Sequence, residues 1–319
     1  MKLLLLNFSL LLLSSVSFAW EIDGLGNYSF KAIDGNKNVY IMHGPLGEPN
    51  KQNLGFMNNP SFIIADKGLI VIDPGSTYDV GLNVIAEIKK ISNKPIIAVF
   101  NTHIHGDHWF ANHALKEQYP NAKFFGSKKM IQQANGDKAL TWLASMHRMT
   151  EGLSKNTIIT PPNLITSHQQ QIQIDNQTFI IHLTNLAHTD TDIMIEHVQS
   201  KTLFLGDNGF NGRFGQFDDT ADISGNIKAL QLAEQLNIKT YVPGHGQSGH
   251  YNNAVKPFLN YLTLLKQIVA KGYEEGLQDF EIKEKYELEF STYNEWVGFD
   301  IVFGKHINKM YLETENASW

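Results

Sequence analysis

The sequence predicts a single α/β domain built on two β-sheets. Short apolar runs alternate with helical spacings along the chain after residue 20, and no Pro- or Ser-rich linker or charge block divides them. The 319 residues are 42% hydrophobic and 18% charged, too apolar and too weakly charged for a disordered chain. Zero Cys excludes a disulfide scaffold, a thiolate zinc finger, an iron–sulfur centre and a cysteine nucleophile. A net charge of −6 gives no basic footprint, so nucleic acid is not an expected partner.

The elements follow in order. Lys2, the apolar run Leu3–Leu13, and Ser17 and Ala19 at the −3 and −1 positions read as a secretory signal peptide over 1–19, cleaved before Trp20. The run is about half the ~20 residues a membrane span needs, so no anchor is expected after cleavage. Removing Lys2 leaves 25 basic residues against 32 acidic. Export to the periplasm is expected, secretion being the alternative, and it fits a chain without thiols. Val39–Met42 is a strand, and a loop rich in Gly, Pro and Asn runs to Pro60. Ser61–Ala65 and Leu69–Ile72 form a hairpin about Asp66-Lys67-Gly68. Asp79–Ile91 is helical, 95–100 a short buried strand, Trp109–Gln118 a helix and Ala122–Phe125 a strand. Ala139–Met149 is a helix with Leu140, Leu143, Ala144 and His147 on one face. Strands follow at Gln171–Ile174, Thr178–Leu183, Asp192–His197 and Thr202–Leu205. After them come helix Ile223–Leu236, strand Thr240–Val242 and helix Val255–Lys271. The charged, aromatic tail from about 273 to 319 is a helical extension of a domain beginning at residue 20. The two halves share an order of elements that hints at duplication.

Residues 101–108 read Asn-Thr-His-Ile-His-Gly-Asp-His, directly after the apolar strand. In extended backbone His103 and His105 point to one face. Gly106 lets the chain turn, and Asp107 and His108 reach back toward the same place. Nitrogen and oxygen donors packed this densely suit a borderline divalent metal, zinc first, with iron or manganese as alternatives. A lone His would read as a loop residue; this cluster does not.

The chain resembles the metallo-β-lactamase superfamily from about residue 39 to 310. Ile72-Asp73-Pro74-Gly75, Thr102–His108, Ala187-His188-Thr189-Asp190, Leu205-Gly206-Asp207 and Pro243-Gly244-His245-Gly246 match its markers in order. The resemblance implies an αββα sandwich with the metal site at one edge. It also implies two divalent ions, the first held by His103, His105 and His188, the second by Asp107, His108 and His245, and both bridged by Asp207. Asp73 would orient a ligand imidazole, and Asp107 would hold metal and handle protons. Two cations about 3.5–4 Å apart lower the pKa of a shared water toward neutrality, so hydroxide can attack a carbonyl or phosphoryl centre.

The implied activity is hydrolysis of an ester, thioester or lactone-type bond in a small molecule. Asp207 stands where the thiolate lactamases carry Cys, which removes that branch. It is shared with hydroxyacylglutathione hydrolases, lactonases and related esterases. Flavo-diiron reductases place Glu at the position of His105. A periplasmic β-lactamase and a non-catalytic metal-binding protein remain the alternatives. Tyr40–Pro45, Asn53–Phe56, Asn59–Ile63 and Asn211–Phe214 further resemble exported metallohydrolases found with sulfur-oxidation and quinoprotein systems. Candidate substrate residues are His43 in the 43–59 loop, His147 on the 139–149 helix beside Trp142 and Met146, and Arg213 after Asp207. No motif sets an oligomeric state.

Overall fold

A computed structural model describes residues 25–318. The predicted signal peptide and its cleavage point before Trp20 lie outside the described residues. The first half runs β1 (Lys31–Ala32), β2 (Val39–Ile41), β3 (Ser61–Ile64), β4 (Leu69–Ile72), α1 (Tyr78–Lys89), β5 (Ile96–Phe100), α2 (Gly106–Trp109), α3 (Asn112–Gln118), β6 (Lys123–Ser127), α4 (Lys128–Ala134), α5 (Asp137–Met149) and β7 (Leu164–Thr166). The second half runs β8 (Gln171–Ile174), β9 (Gln177–Asn185), β10 (Asp192–His197), β11 (Thr202–Phe210), α6 (Ile223–Gln235), β12 (Thr240–His245), α7 (Tyr251–Ala254), α8 (Lys256–Glu274), α9 (Asp279–Tyr286), a 3₁₀ turn (Glu287–Tyr293) and α10 (Phe299–Ala317).

The strands form a seven-stranded sheet in the order β1 to β7 and a five-stranded sheet in the order β12-β11-β10-β9-β8. Both are mixed: β4 through β7 pair in parallel, as do β11 and β12, and the other pairs are antiparallel. The period-2 alternation of a strand explains the layers. In β4, Ile70 and Ile72 face Phe179, Ile193, Ile195 and Phe204 of the second sheet. Leu69 and Val71 point the other way, onto Val84, Ile85 and Ile88 of α1. Leu203 and Leu205 of β11 face outward onto Leu262, Leu265 and Phe303 of α8 and α10. The result is helix, sheet, sheet, helix.

Three differences from the sequence reading have physical causes. The helix predicted over 109–118 is two helices, because α2 closes its own turn at Gly106–Trp109 and carries Asp107 and His108. The buried face of α5 holds Ala139 and Met146, while Leu140 is 58% exposed. Contact with Ile104, Trp109 and Phe110 selects that face, and local periodicity carries no trace of it. The tail is less an appendage than a wall of the core: Phe290, Phe303 and Ile307 are fully buried in the cluster that covers the second sheet.

Candidate metal centre

The candidate ligands gather where strands of the two sheets end and in the loops and short helix that follow. His103 to His108 follow β5, Asp207 lies late in β11, His245 ends β12, and His188 sits in the β9–β10 connection. In open α/β sheets, sites form at the carboxyl ends of parallel strands. The His188 loop is tied to the 103–108 segment by two bonds: Ile193 N donates to Thr102 O (2.9 Å) and Ile104 N to Thr191 Oγ1 (3.0 Å).

All seven predicted ligands come together, each at 6% exposure or less. They fall into the two predicted groups. Donor atoms of His103, His105, His188 and Asp207 lie within 4.8 Å of one another, as do those of Asp107, His108 and His245. Asp207 stands between them. Its Oδ1 is 3.0 Å from His108 Nε2, and its Oδ2 is 3.3 Å from His245 Nε2 and 3.4 Å from His188 Nε2.

The donor set fits divalent cations. His188 Nε2 faces His105 Nδ1 at 3.1 Å, and His108 Nε2 faces His245 Nε2 at 3.2 Å. His103 Nε2 is buried with no hydrogen-bond partner among the described residues. Facing or orphaned ring nitrogens in a dry site are costly unless their lone pairs meet a cation.

The outer nitrogens show how the rings are set. His108 Nδ1–H donates to Asp73 Oδ2 (2.8 Å), and His245 Nδ1–H donates to the Met57 carbonyl (2.8 Å). The Thr102 hydroxyl donates to Asp73 Oδ2 (2.6 Å) and accepts from His103 Nδ1–H (3.0 Å). Asp73 therefore serves one imidazole of each group and has the predicted orienting geometry. It holds φ of +47°, a left-handed conformation that Asp tolerates better than most residues.

Burial and charge divide the histidines. Loss of water holds His103 well below its ordinary pKa and His188 down to about 3, so both present lone pairs. Burial also opposes charge on His108 and His245, but Asp207 and Asp107 outweigh it and raise both. The same imidazoles overcome the burial of Asp107 and hold it at about 2, and Asp207 is held well below its usual range. The carboxylates thus favour the charged form of His108 and His245, and metal binding would compete with those protons.

A family model described as the metallo-beta-lactamase superfamily matches residues 54–245. The chain belongs to the metallo-β-lactamase superfamily. It is a metal-dependent hydrolase of that family, with two His/Asp groups suited to divalent ions. A probable metallo-hydrolase from Streptococcus pyogenes serotype M6 is 26% identical over 213 residues, spanning 63% of this chain and 85% of that protein. A linear primary-alkylsulfatase from a Pseudomonas species is 50% identical over 46 residues, 14% of this chain and 9% of that one. The solved structure of a stereoselective inverting sec-alkylsulfatase from a Pseudomonas species has the same fold. Its TM-score is 0.68 at 17% identity, over 90% of this chain and 50% of that one.

The predicted substrate residues are placed elsewhere. The Arg213 guanidinium, 3% exposed, donates to the Leu46 and Gly47 carbonyls, to Glu48 and to Phe214 O, so it pins the 43–59 loop and is not free for an anionic substrate. His43 Nε2 pairs with Ser248 beside a separate cavity of about 550 Å³ that holds none of the seven ligands. His147 lies five residues past Trp142, about 140° around an ideal helix from it, and its Nε2 is buried without a hydrogen-bond partner among the described residues. The loop does reach the centre: the Met57 backbone carbonyl holds His245, and the Asn59 side-chain amide donates to the Pro243 and Gly246 carbonyls.

Sequence reasoning missed Asp218 and Lys138. Asp218 Oδ2 lies 3.7 Å from His105 Nε2 and accepts from Lys138 Nζ at 2.7 Å. Burial opposes its ionisation, but contacts with His105, Lys138 and Thr220 lower its pKa. No motif flags an Asp in a Gly-Gln-Phe-Asp-Asp loop.

Proposed function

We propose that the chain is a dinuclear zinc hydrolase that cleaves an ester, thioester or lactone-type bond in a small molecule after export to the periplasm. The observation that carries the reading is Asp207, whose carboxylate stands between two complete ligand groups. An all-nitrogen-and-oxygen donor set of this kind favours zinc, with iron and manganese compatible. Two bound cations would supply a water ionised near neutral pH and Lewis-acid polarisation of the substrate oxygen.

The rest falls to the protein. His103, His105 and His188 hold the first position, Asp107, His108 and His245 the second, and Asp207 is shared. Asp107 Oδ2, 3.3 Å from His245 Nε2, is placed to take a proton as well as to hold metal. His105 and Asp107 have the most exposed ligand side chains, each at 8%, so the mouth lies over them. Trp142 against His105 and Phe217 against His188 give that mouth apolar walls, which exclude water and suit an acyl or alkyl group.

A metal assay and a chromogenic panel of ester, thioester, lactone, β-lactam, phosphodiester and alkyl-sulfate substrates test the reading. The expected result is about two zinc per chain and turnover of a carbonyl ester, thioester or lactone. A His103→Ala variant as active as the parent, or no metal after refolding with zinc, would overturn it. Hydrolysis of an alkyl sulfate is the second reading, favoured by the 46-residue stretch shared with an alkylsulfatase. Turnover of dodecyl sulfate above all carbonyl substrates would select it. For export, mass spectrometry of periplasmic protein should find a chain beginning at Trp20; retention of Met1 in the cytoplasm would refute it.

A further inference from the structure

Among the described residues, two ligand imidazoles lack a hydrogen-bonded outer partner. His188 Nδ1 and His105 Nε2 are both buried without one. The His105 nitrogen is aimed at a carboxylate, Asp218 Oδ2, at 3.7 Å. That carboxylate is itself held from several sides. Lys138 Nζ, from α5, donates to Oδ2 at 2.7 Å, and Thr220 donates to Oδ1 through its amide (2.8 Å) and hydroxyl (2.6 Å). Trp142 packs against the same ring at a centroid distance of 4.5 Å.

The loop that carries Asp218 is fastened to the end of the chain. His306 Nε2–H donates to Gly215 O at 3.0 Å, and Lys309 Nζ donates to Asp218 O at 3.3 Å. Glu313 accepts from the amides of Ile223 and Ser224 at 2.7 and 3.1 Å. These three side chains lie on one stretch of α10, successively three and four residues apart, a spacing that puts them on one face of the helix. All of them lie beyond residue 245, where the family match ends.

We propose that Asp218 is a positioning residue for His105, and that α10 sets where Asp218 stands. The inference rests on the reading of His105 as a ligand. With Nε2–H aimed at Asp218 across 3.7 Å, Nδ1 is left as the lone-pair nitrogen facing His188 Nε2 in the group that includes Asp207, as a metal ligand of the first group requires. Lys138 keeps Asp218 ionised at that spot, and the C-terminal helix keeps the loop from swinging away.

Cobalt(II) titration of the metal-free full-length chain tests this, with absorbance and chelator competition as readouts. The Asp218→Asn change is made in two backgrounds: His245→Ala, which leaves the first group intact, and His188→Ala, which leaves the second. In the first background it should weaken cobalt binding about 10- to 100-fold, the usual size for a lost outer partner. In the second it should change nothing. Equal weakening in both backgrounds, or in neither, would overturn the proposal. Asp218→Glu should restore part of the affinity, and Lys309→Met should reproduce the loss at smaller size with the Asp218 side chain intact. If Asp218→Asn fails to fold, the Lys309→Met pair decides in the same way. A parent chain that takes up no cobalt would overturn the ligand reading and this proposal with it.

Discussion

The two ligand groups are built to different standards. In the second, His108 and His245 each donate an outer N–H to a firmly placed acceptor at 2.8 Å, one a buried carboxylate and the other a backbone carbonyl. In the first, His103 reaches Asp73 through Thr102, His105 looks at Asp218 across 3.7 Å, and His188 has no outer partner among the described residues. The supports of the second group come from Met57 and Asp73, within the stretch matched to the family, and the first leans on a loop braced by the C-terminal helix. The contrast teaches that shared ligands do not make equal sites, and that the less supported group is where this chain is tuned by its own tail.

Several changes would break that contrast or sharpen it. Asp207→Asn should have the largest effect, since it strips both groups at once: activity should fall at least about 100-fold, the upper size for loss of a mere outer partner, and zinc content should drop well below two per chain. Retention of both ions by mass spectrometry would contradict a shared carboxylate. Gly244→Ala comes next. A Cβ there would collide with Asp207 Oδ1 and the Gly206 backbone, so the variant should fold yet lose affinity in both groups. Asp73→Asn should cost about 10- to 100-fold in zinc affinity, while Thr102→Val, which cuts only the arm to His103, should weaken the first group alone. Matching zinc isotherms for these two variants would show that Asp73 acts on one group only.

A separate effect concerns acid. His306 is buried, and loss of water lowers its pKa to about 4, while Tyr261 O–H donates to its Nδ1 at 2.8 Å. Above the unfolded value near 6.5 neither state holds the proton, and stability is at its full value. As pH falls from 6.5 toward 4 the unfolded chain takes up a proton that the native state refuses, so stability declines, then levels off below 4. The loss from this residue is on the order of 3 kcal/mol. Melting curves of His306→Gln should therefore slope less steeply with pH than those of the parent across that window; parallel slopes would place the acid sensitivity elsewhere, with His197, also lowered to about 4 by burial, the first alternative.

The residues that the sequence disclosed and those it withheld differ in kind. His103, His105, Asp107 and His108 were legible because they are contiguous and follow a buried strand. His188, Asp207 and His245 were legible only as members of an ordered family pattern. Each side chain alone is an ordinary loop residue. Asp218, Lys138 and the Met57 carbonyl were not legible. The first two matter only because α5 and the 212–222 loop meet over His105, and a backbone oxygen has no residue identity to read. Arg213 misled because its charge is visible in sequence, whereas the Leu46 and Gly47 carbonyls that occupy it are not. Strand β7 left little pattern, as Thr166 is its one buried residue, and the face of α5 followed the core it met.

The meeting of His108 with His245 joins positions 137 residues apart in the chain. Closing so long a loop costs entropy that only the finished sheets can offset, and contacts of this range form late. The centre is therefore expected to form after the scaffold, and metal to meet a protein already folded. Refolding followed by tryptophan fluorescence should run at the same rate with zinc as with a chelator, and zinc should slow only the unfolding arm.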